Sequence, residues 1–236
     1  YTTATDIPAQ ANGSTVYYEI TATDNDPEVT TTAEQVYSVL NPVTTTIPYT
    51  ETFDVDLGDC YNYTVAGNKP WEFGSASAVG NGFSGQDPEE HWLVLPGFNL
   101  DNYSAEELTF TTYAKYGTAD ANNYLLLMYS SNYSGIGNPY AAGVVWNSIP
   151  FTKPTGVIGS TEVSEPSGAI NLADSAGTNI HLAFKYYSTN SPVGWRIDDI
   201  SIIEANAPLL EVTPAALTGF SYVESESPDV AQTISV

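Results

Sequence analysis

The 236-residue chain predicts an all-β protein, and three observations carry that expectation. Nearly every periodic run alternates apolar and polar positions with a period of two. The runs are rich in Thr, Tyr, Val and Ile and are separated by clusters of Gly, Asn, Asp and Pro. No stretch shows a helical period; Ser104-Ala105-Glu106-Glu107 is a single helical turn at most.

In chain order, Val16, Tyr18, Ile20 and Ala22 share one face of a first strand, and a second is expected around 34–40. Asn41 to Pro48 is a Thr- and Pro-rich stretch without a core pattern and reads as a linker. Leu108, Phe110, Thr112, Ala114 and Tyr116 alternate with polar neighbours, and the dense run Tyr124 to Tyr129 suits a central strand covered on both faces. Ile180, Leu182, Phe184 and Tyr186 repeat the alternation. The last such strand is Trp195-Arg196-Ile197-Asp198-Asp199-Ile200-Ser201-Ile202, before the boundary at Asn206-Ala207-Pro208. These boundaries divide the chain into 1–44, the closing strands of a module plus linker; 45–205, one complete domain; and 206–236, a linker and the opening strands of a further module. Tyr1 begins on mid-domain sequence with no signal peptide, so we expect a piece of a longer protein.

Composition excludes some functions. Five Lys plus Arg stand against 28 Asp plus Glu, a formal charge of −23. Phosphate neutralisation needs a basic stripe, so nucleic acid is not an expected partner, and an anionic membrane surface would repel the chain. No apolar run has the length of a membrane span, so direct insertion is not expected. Hydrophobic residues make up 42% and aromatics 12%, enough for a packed core despite the acidity. The single cysteine, Cys60, forbids an internal disulfide; it reads as a small buried residue, and a bacterial exported protein fits better than a disulfide-rich secreted one.

The stretch from 48 to 200 resembles the choice-of-anchor J domain of exported Bacteroidetes proteins, a relative of the cleaved-adhesin modules of bacterial haemagglutinins. The matching elements are Pro48-Tyr49-Thr50-Glu51-Thr52-Phe53, Trp71-Glu72-Phe73, His91-Trp92-Leu93-Val94-Leu95-Pro96-Gly97-Phe98-Asn99-Leu100, Leu108-Thr109-Phe110, Ala183-Phe184-Lys185-Tyr186 and Trp195-Arg196-Ile197-Asp198-Asp199-Ile200. The resemblance implies a jelly-roll β-sandwich akin to carbohydrate-binding modules, often with structural calcium, in secreted or surface-bound proteins. His91 departs from it, standing where the family often has an acidic residue. The flanks resemble Ig-like or fibronectin-like strands of multidomain exported bacterial proteins.

Calcium takes six to eight oxygens at about 2.3–2.6 Å. Glu51 and Asp198 are the first expected ligands, because the resemblance implies an ion between the first and last strands. Asp54, Asp87, Glu89, Glu90 and Asp199 follow as second candidates. Alternation puts Asp198 on the face of Ile200 and Ile202, so it points inward if those two are core. The ion-free alternative pairs Asp198 or Asp199 with Arg196 or Lys185. For a glycan, aromatic platforms on loops are the expected recognition elements. Tyr133, Tyr140 and Trp146, on or just after a Gly- and Asn-rich loop, are the expected binding residues; Trp71, Trp92 and Trp195 read as packing residues. Asp174-Ser175-Ala176 resembles a bacterial O-glycosylation tripeptide.

No motif argues for an enzyme. The expected function is a non-catalytic adhesion or carbohydrate-binding module, stabilised by calcium, in a secreted or cell-surface bacterial protein. Its partners would be a glycan or an extracellular-matrix ligand, besides the neighbouring domains of the parent chain. The alternative is a structural spacer that positions a catalytic domain, such as an extracellular nuclease or another hydrolase, lying outside these residues.

Overall fold

A computed structural model describes residues 15–23, 29–38, 42–175, 177–190 and 192–205. The chain divides after Glu204 into two units. Among its described residues the first is all-β apart from one 3-10 turn, Ala173–Ser175; the second lies almost wholly outside the described residues, as do residues 1–14 and 206–236 of the flanks for which Ig-like strands are expected. Two short antiparallel pairs precede the main body, Thr15–Tyr18 with Gln35–Ser38 and Thr21–Thr23 with Val29–Thr31.

The main body is a sandwich of two sheets. Its strands are β1 (Tyr49–Glu51), β2 (Tyr61–Ala66), β3 (Glu72–Phe73), β4 (Ala78–Gly80), β5 (Glu89–Val94), β6 (Glu106–Lys115), β7 (Asn123–Ser130), β8 (Asn147–Ile149), β9 (Val163–Pro166), β10 (Ile170–Asn171), β11 (His181–Ser188) and β12 (Gly194–Glu204). One sheet runs β8-β7-β11-β5-β2; the other runs β9-β6-β12-β4-β3, with β10 also on β6 and β1 also on β12. The pairing of β1 with β12 puts Glu51 opposite Ile200, so the first and last strands do share an edge.

Alternation packs the interior. Leu93, Leu125, Leu127, Phe184 and Tyr186 from one sheet meet Leu108, Phe110, Trp195, Ile197, Ile200 and Ile202 from the other, all buried. Phe110 and Phe184 meet edge to face with centroids 4.9 Å apart. Burial of such side chains contributes about 1.5–3 kcal/mol each. Tyr124, Leu126 and Met128 are only half-buried, so β7 is covered fully on one face and not on both. The expected linker is docked: Thr44–Thr45 pairs in parallel with Gly97–Phe98, and Ile47 is buried in the core. No helical turn forms at 104–107: Ser104 and Ala105 are bends, and Glu106 and Glu107 open β6, paired with Glu204 and Ile203.

One irregularity overturns an expectation. Thr109 pairs with Ser201 but Thr111 pairs with Asp198, so Asp199 and Ile200 together oppose Phe110. This is a β-bulge, with Asp199 in the left-handed region at φ 52°. The extra residue switches the strand's phase: Trp195 and Ile197 face inward before it, Ile200 and Ile202 after it. Asp198 therefore does not share the face of Ile200, and alternation does not drive it inward. It is half-buried and Asp199 is exposed.

Candidate functional site

The acidic edge is built by the bulge and by the turn after β1. Glu51 Oε1 accepts a hydrogen bond from Phe53 N–H at 2.8 Å, and Gly58, in the left-handed region at φ 58°, packs against the same carboxylate. Asp198 Oδ1 accepts from Asp199 N–H at 2.8 Å. Burial raises the Asp198 pKa against that bond, and the charges of Asp199 and Asp54 push it the same way while Arg196 opposes them. Arg196 itself pairs with Glu162 at 2.7 Å. Among the described residues no three His, Cys, Asp or Glu side chains are gathered as they would be about a metal. Cys60 lies near this turn, where burial, with Glu51 and Asp59 adding to it, pushes its thiol up and away from a reactive thiolate.

Of the other acidic candidates, Asp87 is exposed, and Glu89 and Glu90 belong to β5 of the other sheet and hold different partners. Glu90 points outward and pairs with Lys185 at 3.2 Å, accepts from Trp92 Nε1 at 3.2 Å, and takes a hydrogen bond from the Tyr140 hydroxyl. Glu89 points inward and is 1% exposed. Its carboxylate accepts from the backbone N–H of Asn68 (2.9 Å), Lys69 (3.0 Å) and Gln86 (2.5 Å), and meets His91 Nε2 at 2.5 Å. Burial alone would raise its pKa; the bonds from His91 and these backbone groups outweigh that and hold it below the usual carboxylate value. His91 thus serves an inward carboxylate two residues away on the same face. A Cβ on Gly67 or Gly85 would sit 2.0 or 2.1 Å from that carboxylate, which is why glycines surround it.

The outer face of the first sheet carries the expected binding aromatics. Register aligns Tyr63, Trp92, Lys185 and Leu126 across β2, β5, β11 and β7. The loop after β7 folds over this row. Tyr133 is the correction: it is 1% exposed, packs on Trp146 at 5.1 Å and donates its hydroxyl to Gly137 O, so it holds the loop down and presents no platform. Trp146 is half-buried against Trp92 at 5.0 Å, its indole N–H donated to Pro139 O. Trp92 is a packing residue as expected, in a small outer cluster with Val94, Tyr133 and Ala183 and not in the main core. Tyr140 is 51% exposed, but its hydroxyl is engaged by Glu90 and Lys185. Ser175 is 5% exposed, so its hydroxyl is not presented for glycosylation.

The site that sequence reasoning missed lies where the turn after β4, the end of β6 and the turn before β12 converge. A cleft of about 430 Å³ is lined by Asn81, Phe83, Tyr116, Gly117 and Pro192. Phe83 is 71% exposed and Tyr116 51% exposed. Neither is loosely held. Asn81 Oδ1 accepts from Phe83 N–H at 3.0 Å, Gly85 N–H closes the turn onto Gly82 O at 2.9 Å, and Gly82 N–H donates to the buried Tyr186 hydroxyl at 2.7 Å. The Glu89 carboxylate grips the same turn through Gln86. Tyr116 has φ 65°, a conformation that a bulky side chain adopts only when the surroundings enforce it. Its N–H is tied to Gly159 O at 2.9 Å. The signal was present as Asn81-Gly82-Phe83-Ser84-Gly85, a large ring set among turn formers.

No protein-family model matches the chain, and no curated protein matches it significantly. Among solved structures, the K1 cleaved adhesin domain of Lys-gingipain from Porphyromonas gingivalis W83 is similar at 18% identity, over 66% of this chain and 98% of that one, with a TM-score of 0.43. The K3 domain of the same protein gives 18% identity, the same coverages and a TM-score of 0.42. A structure of carbohydrate-binding modules from the β-sandwich superfamily, described for promiscuous specificity, gives 11% identity over 82% of this chain and 75% of that one, with a TM-score of 0.33.

Proposed function

We propose that this domain is a carbohydrate-binding module of a secreted or surface-bound bacterial protein, and that it binds glycans in the Phe83–Tyr116 cleft. One observation carries the reading: two large rings are held out to solvent across a cleft of about 430 Å³, on backbone that is tied down on both sides. Pyranose rings present C–H faces that stack on aromatic rings, and the cleft volume lies in the range of about 300–1,000 Å³ in which small ligands are held. Asn81 supplies a polar group at the rim; its Oδ1 is used by Phe83 N–H, and its Nδ2 is free of protein partners among the described residues. The resemblance to the choice-of-anchor J domain supports the same class of task.

Calcium belongs to this proposal as a structural ion beside Glu51, with main-chain carbonyls completing its shell. It would lock the turn after β1 onto β12, remote in sequence from the cleft turns, and take no part in stacking.

The test is a glycan array on the purified chain, repeated with Phe83→Ala and Tyr116→Ala. Each exposed ring should contribute roughly 1–2 kcal/mol, so each substitution should weaken the best saccharide about tenfold while leaving the melting temperature within about 2 °C. A chain that binds no saccharide is a spacer, and this reading is then wrong.

A further inference from the structure

We propose that the cleft selects acidic saccharides, with Lys115 as the group that pairs the sugar carboxylate; this rests on the glycan reading above. Cations are scarce in this chain. The chain has five Lys plus Arg among 28 Asp plus Glu, and all five lie in the described residues. Two are neutralised by ion pairs, Lys185 with Glu90 and Arg196 with Glu162. Lys153 donates its ammonium to Leu125 O and lies 4.7 Å over the Phe151 ring. Lys69 packs its stem against Gly85.

Lys115 is different in place. It is the last residue of β6, immediately before Tyr116, and its ammonium lies 5.0 Å from the centre of the Tyr116 ring. Among the described residues no carboxylate comes within ion-pair distance of it. Its strand partner is Gly194, where an added Cβ would lie 3.5 Å from both the Lys115 carbonyl and the Asn81 amide. Tyr116 and Asn81 line the cleft, and the Lys115 ammonium rests against the Tyr116 ring. A cation lodged on an exposed ring of the cleft, with no carboxylate at ion-pair distance among the described residues, is a site for an anion carried by a ring-shaped ligand. A uronate matches it, with C–H faces for Tyr116 and Phe83 and a carboxylate for Lys115 and Asn81 Nδ2. The overall negative charge does not forbid this, because charges beyond about 8 Å are screened at physiological ionic strength.

The experiment compares uronate-containing oligosaccharides with their carboxyl-reduced counterparts, which keep linkage and ring and change only the acid to an alcohol. Calorimetric titration at physiological salt should show at least a tenfold preference for the acidic member. Lys115→Met should erase the preference by weakening the acidic member at least tenfold, while Lys115→Arg should keep it. Equal affinity of the wild-type chain for both members overturns the selection and leaves the glycan reading intact. A preference that survives Lys115→Met also overturns it. If the chain binds neither member nor any saccharide on the array, both readings fall together.

Discussion

Replacing Glu89 by Gln keeps the side chain's shape and removes one acceptor oxygen from a buried site. In the native fold Oε2 accepts from Asn68 N–H, Lys69 N–H and His91, and Oε1 from Gln86 N–H. Glutamine offers one oxygen and sets an NH₂ group where the other was. Whichever way the amide turns, Gln86 N–H or the Lys69–His91 side then faces a donor. Losing a hydrogen bond to a charged group costs about 1.5–3 kcal/mol, and stranding the buried donor adds about 1–3 kcal/mol. We therefore expect a loss of about 3–5 kcal/mol, the range for breaking a buried pair by removing one partner. Urea unfolding at pH 7, followed by tryptophan fluorescence, measures it; Trp71, whose indole donates to His91 O, lies beside the site. The exposed Glu72→Gln serves as the control and should move stability by less than about 0.5 kcal/mol. The linkage has a definite sign. The folded-state pKa of Glu89 is depressed, so its stabilisation is present above the unfolded value near about 4.3 and is lost as pH falls through the folded value. A loss below about 1 kcal/mol for Glu89→Gln would refute the claim that this carboxylate organises the turns around it.

Other outcomes follow from the same structure. His181 is buried with both ring nitrogens unpartnered among the described residues, and burial pulls its pKa down to about 4. The fold resists its protonation, so relative to His181→Leu the wild-type chain should lose up to about 3 kcal/mol as pH falls from about 6.5 to 4. Parallel pH profiles of the two proteins would contradict this. Tyr133→Ala should cost about 3–5 kcal/mol in unfolding free energy, whereas Tyr140→Ala should cost under about 1 kcal/mol; equal costs would mean that the loop does not rest on Tyr133. Asp199→Val should lower stability by about 1–2 kcal/mol through its left-handed backbone, and Asp199→Gly should not; thermal melts separate the two. If calcium is held beside Glu51, chelation should lower the melting temperature and Glu51→Ala or Asp198→Ala should abolish the difference. Melting curves indifferent to chelation would remove the ion from the account.

The sandwich was legible because alternation is local: Leu108 to Ala114 and Leu182 to Tyr186 pack as their spacing demands. The meeting of β1 with β12 agrees with the juxtaposition of first and last strands that the resemblance implies. The direction of Asp198 was not legible, because one extra residue reverses every side chain beyond it. The phase jump from Trp195 and Ile197 to Ile200 and Ile202 records that bulge, but only when the whole strand is taken as core. The aromatic loop after β7 was found, while the role of Tyr133 within it was not. Nothing local tells a ring that covers the sheet from one that faces water. Phe83 and Tyr116 escaped because their meeting depends on turns 33 residues apart that only the closed sandwich brings together.

A crystal structure of the chain with the tightest saccharide from the array tests the central claim most directly. The account predicts a sugar ring in van der Waals contact with Phe83 or Tyr116, in the cleft rimmed by Asn81. A sugar seated on the Tyr140–Lys185 face, with that cleft open, would contradict it.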